Sequence, residues 1–442
     1  MAVAFLSKYQ ALVEQTDTIK YIGRVTGVRG LTVTSHGPRA RVGELCRIVA
    51  ERADREVLAE VVGLTGHSVQ LAPFSDIEGV EIGDAIIGTG AGLRVPVGFE
   101  LLGRVIDACG EPIDGGPTLA ALPTYPASAD PPHVLTRSAI TDQVQTGVRA
   151  IDALVPVGKG QRLGIFSGSG VGKSTLIGMI ARNTAADINV IALIGERGRE
   201  VREFIENELG PEGLERSVLV VSTSNTPAMA RLRGAFAATA IAEYFRDQGQ
   251  DVMLMFDSVT RFARAQREIG LSRGEGPASR GFPPSVDAVL PQLLERCGTS
   301  EHGTITGFYT VLVEGDDLDE PVSDAVRGIL DGHLVLSRNL ATRGHYPAID
   351  VLESVSRLES SISTTAQRSA AREVRRLMAV YRDAEDLINA GVYQSGSNPE
   401  IDLAIRMRES INAMLRQQIA ESSSLEDTIV QLTELVGAEP DA

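Results

Sequence analysis

Short apolar runs alternate with amphipathic stretches through the middle of the chain. The runs predicted as strands are 163–166, 189–194, 218–222, 252–256 and 304–313. Between the third and fourth runs, residues 227–248 place their apolar side chains near one face of a helix. Strands that alternate with helices indicate a parallel sheet covered by helices. We therefore predict an α/β core from Gln161 onward.

The chain before this core has a different pattern. Between residues 21 and 92, β-rich runs at 57–62, 69–71 and 85–87 are separated by closely spaced glycines. Short strands with frequent turn residues are typical of a small barrel or sandwich. We predict an N-terminal β-barrel domain.

Both ends of the chain have helical spacing. Near the N-terminus the stripe consists of Phe5, Leu6, Tyr9 and Leu12, which fits an amphipathic helix or a short surface helix that frays. After about residue 358 the strand pattern stops and apolar residues recur at helical intervals. We divide the chain into an N-terminal helix at 1–20, a barrel at 21–92, a core at 93–358 and a helical domain at 359–442.

Composition narrows the class of protein. The chain has 442 residues, 43% hydrophobic and 23% charged, as in soluble globular proteins of more than one domain. Its net charge of −16 disfavours binding to the negatively charged backbone of nucleic acid, so no nucleic-acid partner is expected. Three distant cysteines without a Cys-x-x-Cys pair favour neither disulfides nor zinc, and they fit a reducing cytoplasm. No stretch is long and apolar enough to span a bilayer.

The strongest local signal is a glycine-rich loop between a predicted strand and a predicted helix. After Ser167 it reads Gly168, Ser169, Gly170, Val171, Gly172, Lys173, Ser174, Thr175. Such a loop turns backbone N–H groups toward phosphate oxygens, and the following helix adds its positive N-terminal end. Lys173 can reach the β- and γ-phosphates, and the Ser174 hydroxyl can bind Mg²⁺. Ser167 stands where the strict pattern has glycine, although the remaining fixed positions are intact.

Two carboxylates follow neighbouring predicted strands. Asp257 ends the run 252–256 and Glu196 follows the run 189–194. Since the carboxyl ends of parallel strands meet at one edge, Asp257 is placed to serve Mg²⁺ and Glu196 to polarise water. Taken alone, Asp257 also fits a simple cap, and Glu196 beside Arg197 fits a surface ion pair.

These motifs resemble those of the type III secretion ATPases, relatives of the β subunit of rotary ATP synthases, and of the flagellar export branch above all. The matching segments are 195–201, 257–261, 266–269, 283–286, 329–333 and 346–350, and the likeness covers nearly the whole chain. It implies a P-loop (RecA-like) core between an N-terminal β-barrel and a C-terminal helical domain. It also implies Mg²⁺-dependent ATP hydrolysis by a homohexamer that assists protein export.

The resemblance assigns roles to further residues. Glu196 becomes the catalytic carboxylate and Asp257 the acid associated with Mg²⁺. Arg197 and Arg261 become their neighbours on the phosphate side. Tyr346 is expected to pack on adenine, and Arg357 is expected to be an arginine finger given to the next subunit. Without the resemblance, Tyr346 fits an ordinary core residue and Arg357 a surface arginine at a domain boundary.

The resemblance also implies partners. A stator-like regulator is expected at the N-terminus, with a central stalk protein, an export gate, chaperones and export substrates as further partners. These place the protein in the cytoplasm, peripherally associated with the export apparatus of the inner membrane.

Other functions of related rings remain alternatives. A rotary ATP synthase β subunit carries an acidic segment in its helical domain that we do not find here. A non-catalytic ring subunit loses the catalytic glutamate or the loop lysine, whereas Glu196 and Lys173 are present. An RNA-translocating hexamer needs aromatic stacking residues in its barrel, where the sequence offers only Tyr21 and Phe74. A virulence-type secretion ATPase stays the main alternative to the flagellar one.

Overall fold

Short strands near the start of the described chain close into a barrel. The computed structural model describes residues 21–313, 317 and 320–437, so the helix predicted at 1–20 lies outside the described residues. The barrel strands are β1 (Ile22–Arg29), β2 (Thr32–His36), β3 (Leu45–Ala50), β4 (Arg55–Thr65), β5 (Ser68–Pro73) and β6 (Ala85–Gly88). Their order around the barrel is β1-β2-β5-β4-β3-β6. The predicted barrel is therefore present, and sequence reasoning had not identified its first three strands individually.

The core after the barrel mixes strands and helices. Its strands are β7 (Arg94–Pro96), β8 (Val105–Ile106), β9 (Thr124–Pro126), β10 (Arg162–Ser167), β11 (Ile188–Ile194), β12 (Ser217–Ser222), β13 (Asp251–Asp257), β14 (Gly298–Thr299), β15 (Thr304–Leu312), β16 (Gly332–Leu336) and β17 (Ile349–Ser356). Its helices are α1 (Arg149–Leu154), α2 (Lys173–Asn183), α3 (Gly198–Glu203), α4 (Gly210–Glu215), α5 (Ala228–Asp247), α6 (Val259–Ser272), α7 (Pro284–Leu294), α8 (Pro321–Ile329) and α9 (Arg338–Thr342). A π-helical turn at Phe204–Leu209 separates α3 from α4.

The central sheet has the order β17-β16-β10-β15-β13-β11-β12-β8, with β14 paired to β15. From β16 to β8 the neighbours along this order are parallel, and β17 runs antiparallel to β16. Every residue of β11 and β12 is buried, which explains why these strands read as continuous apolar runs. The carboxyl ends of β10, β11 and β13 therefore meet at one edge, which we call the carboxyl edge.

Helix α5 packs closely against one face of the central sheet. Most of its residues are buried, and it is rich in alanine. A Cβ at Gly234 would meet the Ser222 Oγ at 2.6 Å and the Ile194 Cδ1 at 3.2 Å, so a larger residue would have to displace these side chains of β11 and β12.

The chain after the sheet is helical, as predicted, with α10 (Glu359–Ile362), α11 (Thr365–Asn389), α12 (Pro399–Leu415) and α13 (Leu425–Val436). Arg149 at the start of α1 fastens this tail to the core. Its Nε donates to the Met414 carbonyl at 2.7 Å, and its backbone N–H donates to the Gln417 Oε1 at 2.9 Å. The predicted fold class, a P-loop core between a barrel and a helical domain, is confirmed.

The barrel is fastened to the core by a partly buried ion pair. Arg233 on α5 donates from Nε to the Glu60 Oε2 on β4 at 2.7 Å, and from its Nη1 to the Ser128 Oγ at 3.1 Å.

Across the described ranges, no helix is long and apolar enough to cross a membrane.

Candidate nucleotide site

The glycine-rich loop connects the end of β10 to the start of α2, at the carboxyl edge. Gly170 and Gly172 have φ of 76° and 90°, which favour glycine and allow the tight turn. Ser169, Gly170 and Ser174 are exposed, whereas the Val171 side chain is buried in the core. The loop thus presents its backbone and the Ser174 hydroxyl outward while Val171 anchors it.

Two carboxylates hold the Lys173 ammonium at this edge. Lys173 Nζ contacts the Asp257 Oδ1 directly and lies 3.5 Å from the Glu196 Oε1. Burial alone would lower the pKa of Lys173, but the two carboxylates outweigh it and raise this pKa, so the ammonium stays charged. The sheet therefore brings together Lys173, Glu196 and Asp257, which lie far apart in sequence.

Glu196 lies in a setting that favours its protonated form. It is 8% exposed. Burial, followed by the negative charge of Asp257, raises the pKa of Glu196 to about 7, and Lys173 offsets this only in part. A hydrogen bond with Glu200 also favours the protonated carboxyl group. Glu196 is thus poised to exchange a proton near neutral pH, as a general base requires.

A cavity of about 680 Å³ opens above this cluster, within the size range of small-molecule sites. Its lining includes the loop, Glu196 and the arginines 197, 261, 264 and 338. Within the described ranges, Arg261 Nε is a buried donor without a hydrogen-bond partner. A cationic cleft with such a donor suits an anionic ligand in a chain whose net charge is −16.

Two of the predicted site residues that line the cleft also have partners within the chain. The Thr175 hydroxyl donates to the Glu208 Oε1 at 2.9 Å. Arg197, which is exposed, pairs with Glu200 at 3.4 Å. Sequence reasoning missed Arg264 and Arg338, which line the cleft, and Thr310, whose hydroxyl donates to the Asp257 Oδ1 at 2.7 Å, because the sheet order brings them to this edge. It also missed Glu200, although this residue lies within the matching segment 195–201.

The oxygen atoms of Ser174 and Asp257 suit a Mg²⁺ ion that is bound partly by phosphate and water, rather than a metal ion held by protein side chains alone. The described residues contain no group of three or more His, Cys, Asp or Glu side chains that could hold a metal ion. The Ser174 hydroxyl is exposed at the start of α2, and the carboxylate of Asp257 lies behind Lys173. Mg²⁺ characteristically takes one or two protein oxygens and completes its shell with phosphates and water.

Tyr346 lies beside the loop. Its ring carbons are 3.6 and 3.7 Å from the position of a Cβ at Gly172, and its side chain is partly open to solvent. Its carbonyl accepts a hydrogen bond of 2.9 Å from the Gln417 N–H of the tail. This position fits an aromatic platform next to a phosphate-binding loop.

Arg357 lies at the other edge of the sheet. Because β17 runs antiparallel to β16, its last residue, Ser356, pairs with Gly332 at the start of β16. The exposed Arg357 side chain donates to the Arg327 carbonyl at 3.2 Å, away from the cleft. β10 crosses the sheet from Arg162 to Ser167, about 16 Å at 3.3 Å per residue. Arg357 is therefore too far from the phosphate loop of its own chain to act there.

Comparison with known families gives three matches along the chain. Residues 25–90 match the beta-barrel domain of the ATP synthase alpha/beta family, and residues 147–356 match its nucleotide-binding domain. Residues 363–434 match the C-terminal domain of the type III secretion ATPase EscN. The tail thus sets this chain apart from a rotary ATP synthase β subunit.

Individual relatives agree over nearly the full length. The "Flagellum-specific ATP synthase" of Treponema pallidum is 57% identical over 440 residues, which cover 99% of this chain and 98% of the relative. The solved structure of the assembled ATPase EscN from the enteropathogenic E. coli type III secretion system is 46% identical, and the match covers 94% of this chain and 100% of the chain in that structure, with a TM-score of 0.88. EscN in complex with its central stalk EscO gives the same identity and coverage with a TM-score of 0.86. The resemblance seen in the motifs is confirmed, and the chain belongs to the ATP synthase alpha/beta family, within its branch of flagellum-specific and type III secretion ATPases.

Proposed function

We propose that this chain is the ATPase of a flagellar type III export apparatus and hydrolyses Mg·ATP within a homohexameric ring. The observation that carries the proposal is the cluster of Lys173, Glu196 and Asp257 at the base of a cationic cleft beside a phosphate-binding loop. The identity of 57% to a flagellum-specific relative favours the flagellar system. The likeness to EscN keeps a virulence-type secretion ATPase as the alternative.

In this proposal, different residues of the cleft bind the phosphates, the adenine and Mg²⁺ and position the attacking water. The backbone of Gly168–Gly172 and the Lys173 ammonium bind the phosphates, and Tyr346 packs on adenine. Ser174 and Asp257 hold Mg²⁺, which when bound neutralises charge on the phosphate oxygens. Glu196, as a carboxylate, orients the attacking water and accepts its proton. Arg197 and Arg261 balance negative charge around the phosphates.

Arg357 completes the site of the neighbouring subunit in this proposal. Its place at the edge opposite the loop of its own chain supports a role across an interface. A head-to-tail ring interface places different edges of successive subunits together. An arginine given in this way stabilises the charge that develops on the transferring phosphoryl group.

The partners belong to the same proposal. EscN is known as an assembly with its central stalk EscO, which supports a stalk protein as a partner here. We propose that a stator-like regulator binds the segment 1–20, and that the ring works with an export gate, chaperones and export substrates in the cytoplasm at the inner membrane.

The roles of Lys173 and Glu196 are separable by substitution. Lys173→Ala should nearly abolish both Mg·ATP binding and hydrolysis, because the phosphates lose their buried cation. Glu196→Gln should keep Mg·ATP binding and lower turnover by about 10²–10⁴-fold, because it keeps the shape and removes the base. The measurements are steady-state turnover and binding of a fluorescent nucleotide.

A matched control is Lys159→Ala, which removes a lysine paired with Asp251 at the opposite edge of the same sheet and should leave turnover unchanged. Near-native turnover of Lys173→Ala would refute the site. A loss of nucleotide affinity in Glu196→Gln as large as its loss of rate would make Glu196 a binding residue.

The raised pKa of Glu196 predicts a pH dependence. Since the carboxylate is the active form, kcat/KM for ATP should rise as pH increases through about 7. This parameter reports ionisations of the free enzyme and the free substrate. Phosphate groups also titrate near pH 6, so nucleotide binding by Glu196→Gln, which cannot titrate at this position, measures that contribution separately. A flat kcat/KM between pH 5.5 and 8 after this correction would contradict the assigned role.

Activity should depend on assembly. Isolated chains should bind ATP but hydrolyse it slowly, and the rate per chain should rise with concentration as rings form. Arg357→Ala should flatten that rise without preventing assembly, since an arginine finger contributes about 10³–10⁵-fold in other phosphoryl-transfer enzymes. ATPase rate and light scattering, followed together across concentration, test this. Arg372→Ala, at an exposed position of α11, is the control. A constant rate per chain from monomer to ring would show that the site is complete within one subunit.

A further inference from the structure

Strand β13 begins and ends with an aspartate. Both carboxylate oxygens of the first one, Asp251, have polar partners. Asp251 begins the strand at the amino edge and pairs with Thr304 on β15. The Thr304 Oγ1 donates to the Asp251 Oδ1 at 2.9 Å, and the Lys159 Nζ lies 2.7 Å from the Asp251 Oδ2. Each carboxylate oxygen of Asp251 thus has its own partner. This is an ordinary structural arrangement of lysine, aspartate and threonine.

The same three residue types meet at the carboxyl edge in a different arrangement. Asp257 ends β13, and Thr310 follows Tyr309, the partner of Phe256 on β15. The Thr310 Oγ1 donates to the Asp257 Oδ1 at 2.7 Å, and the Lys173 Nζ contacts this same oxygen. Among the described residues, no hydrogen-bond donor contacts the Asp257 Oδ2. The threonine and the lysine therefore share one oxygen, and within the described part of the chain the other oxygen has no donor.

Thr310 is well placed to fix this orientation. It is fully buried in the middle of the sheet, so its hydroxyl is held by a strand paired on both sides. A carboxylate held at one oxygen by a rigid donor cannot rotate freely about χ2. Without the hydroxyl, the Asp257 carboxylate can turn about χ2 and offer both oxygens to the Lys173 ammonium.

We propose that Thr310 is a positioning residue that keeps the Asp257 Oδ2 available to the hydrated Mg²⁺ of the nucleotide. This inference rests on the proposed function, in which Asp257 serves Mg²⁺. Groups that orient metal-associated carboxylates through hydrogen bonds commonly change metal affinity by about 10–100-fold when they are removed. The role of Thr310 is to hold the acid, and Thr310 does not itself contact the nucleotide in this proposal.

The test uses a substitution that removes the hydroxyl and keeps the shape. Thr310→Val should raise the Mn²⁺ concentration needed to bind with ADP about 10-fold, measured by the EPR signal of free Mn²⁺ in the full-length protein. Binding of a fluorescent ADP in EDTA should stay at the wild-type level, since the phosphate loop is untouched. Thr310→Ser, which keeps the hydroxyl, should bind Mn²⁺ as the wild-type protein does.

The matched control is Thr304→Val, which removes the equivalent bond to Asp251 on the same pair of strands. It should lower thermal stability to a similar extent and leave Mn²⁺ binding unchanged. Should Thr310→Val not fold, Thr310→Ala provides the same comparison with less steric demand.

The outcomes separate this inference from the proposed function. An unchanged Mn²⁺ midpoint in Thr310→Val, or an equal shift in Thr304→Val, overturns the positioning role of Thr310. If Asp257→Asn weakens Mn²⁺ binding while Thr310→Val does not, only the positioning role fails. If Asp257→Asn also leaves Mn²⁺ binding at the wild-type level, the metal role in the proposed function fails as well.

Discussion

The direction of the strands in the central sheet decides where each charged group of the nucleotide cleft lies. Because β10, β11 and β13 are parallel, the phosphate loop, Glu196 and Asp257 all follow strand ends at the carboxyl edge. Because β17 runs antiparallel to β16, it starts near Tyr346 beside the loop and ends near Arg357 at the opposite edge. The reversed direction of β17 therefore separates Tyr346, beside the loop, from Arg357, at the opposite edge, which is the placement on which the proposed role of Arg357 rests.

At the carboxyl edge, one buried ammonium lies between two carboxylates. Lys173 is shared between Asp257 and Glu196, which keeps an ammonium charged in a buried place where it would otherwise be costly. Phosphate oxygens offer that ammonium an alternative partner of the same sign as the carboxylates. The two carboxylates thus hold the lysine beside the phosphate loop, where the proposed function requires a cation.

Sequence reasoning predicted what is local or fully buried. The phosphate loop could be identified because its residues have fixed spacing, and β11 and β13 because nearly all their residues are buried and their central residues, 190–194 and 252–256, are apolar. The first barrel strands were missed because exposed arginines and glycines interrupt their pattern. The contact of Thr310 with Asp257, the raised pKa of Glu196 and the edge occupied by Arg357 depend on sheet order and strand direction, which no local pattern reveals.

The central claim, that one chain supplies the acid and the next supplies the arginine, is tested most directly by mixing two inactive variants. Glu196→Gln chains and Arg357→Ala chains, mixed in equal amounts before assembly, should form about a quarter of their interfaces from an intact Glu196 and an intact Arg357. We predict that ATPase activity appears in the mixture and is far above that of either variant alone. A mixture no more active than the sum of its two components, with rings formed, would contradict the account.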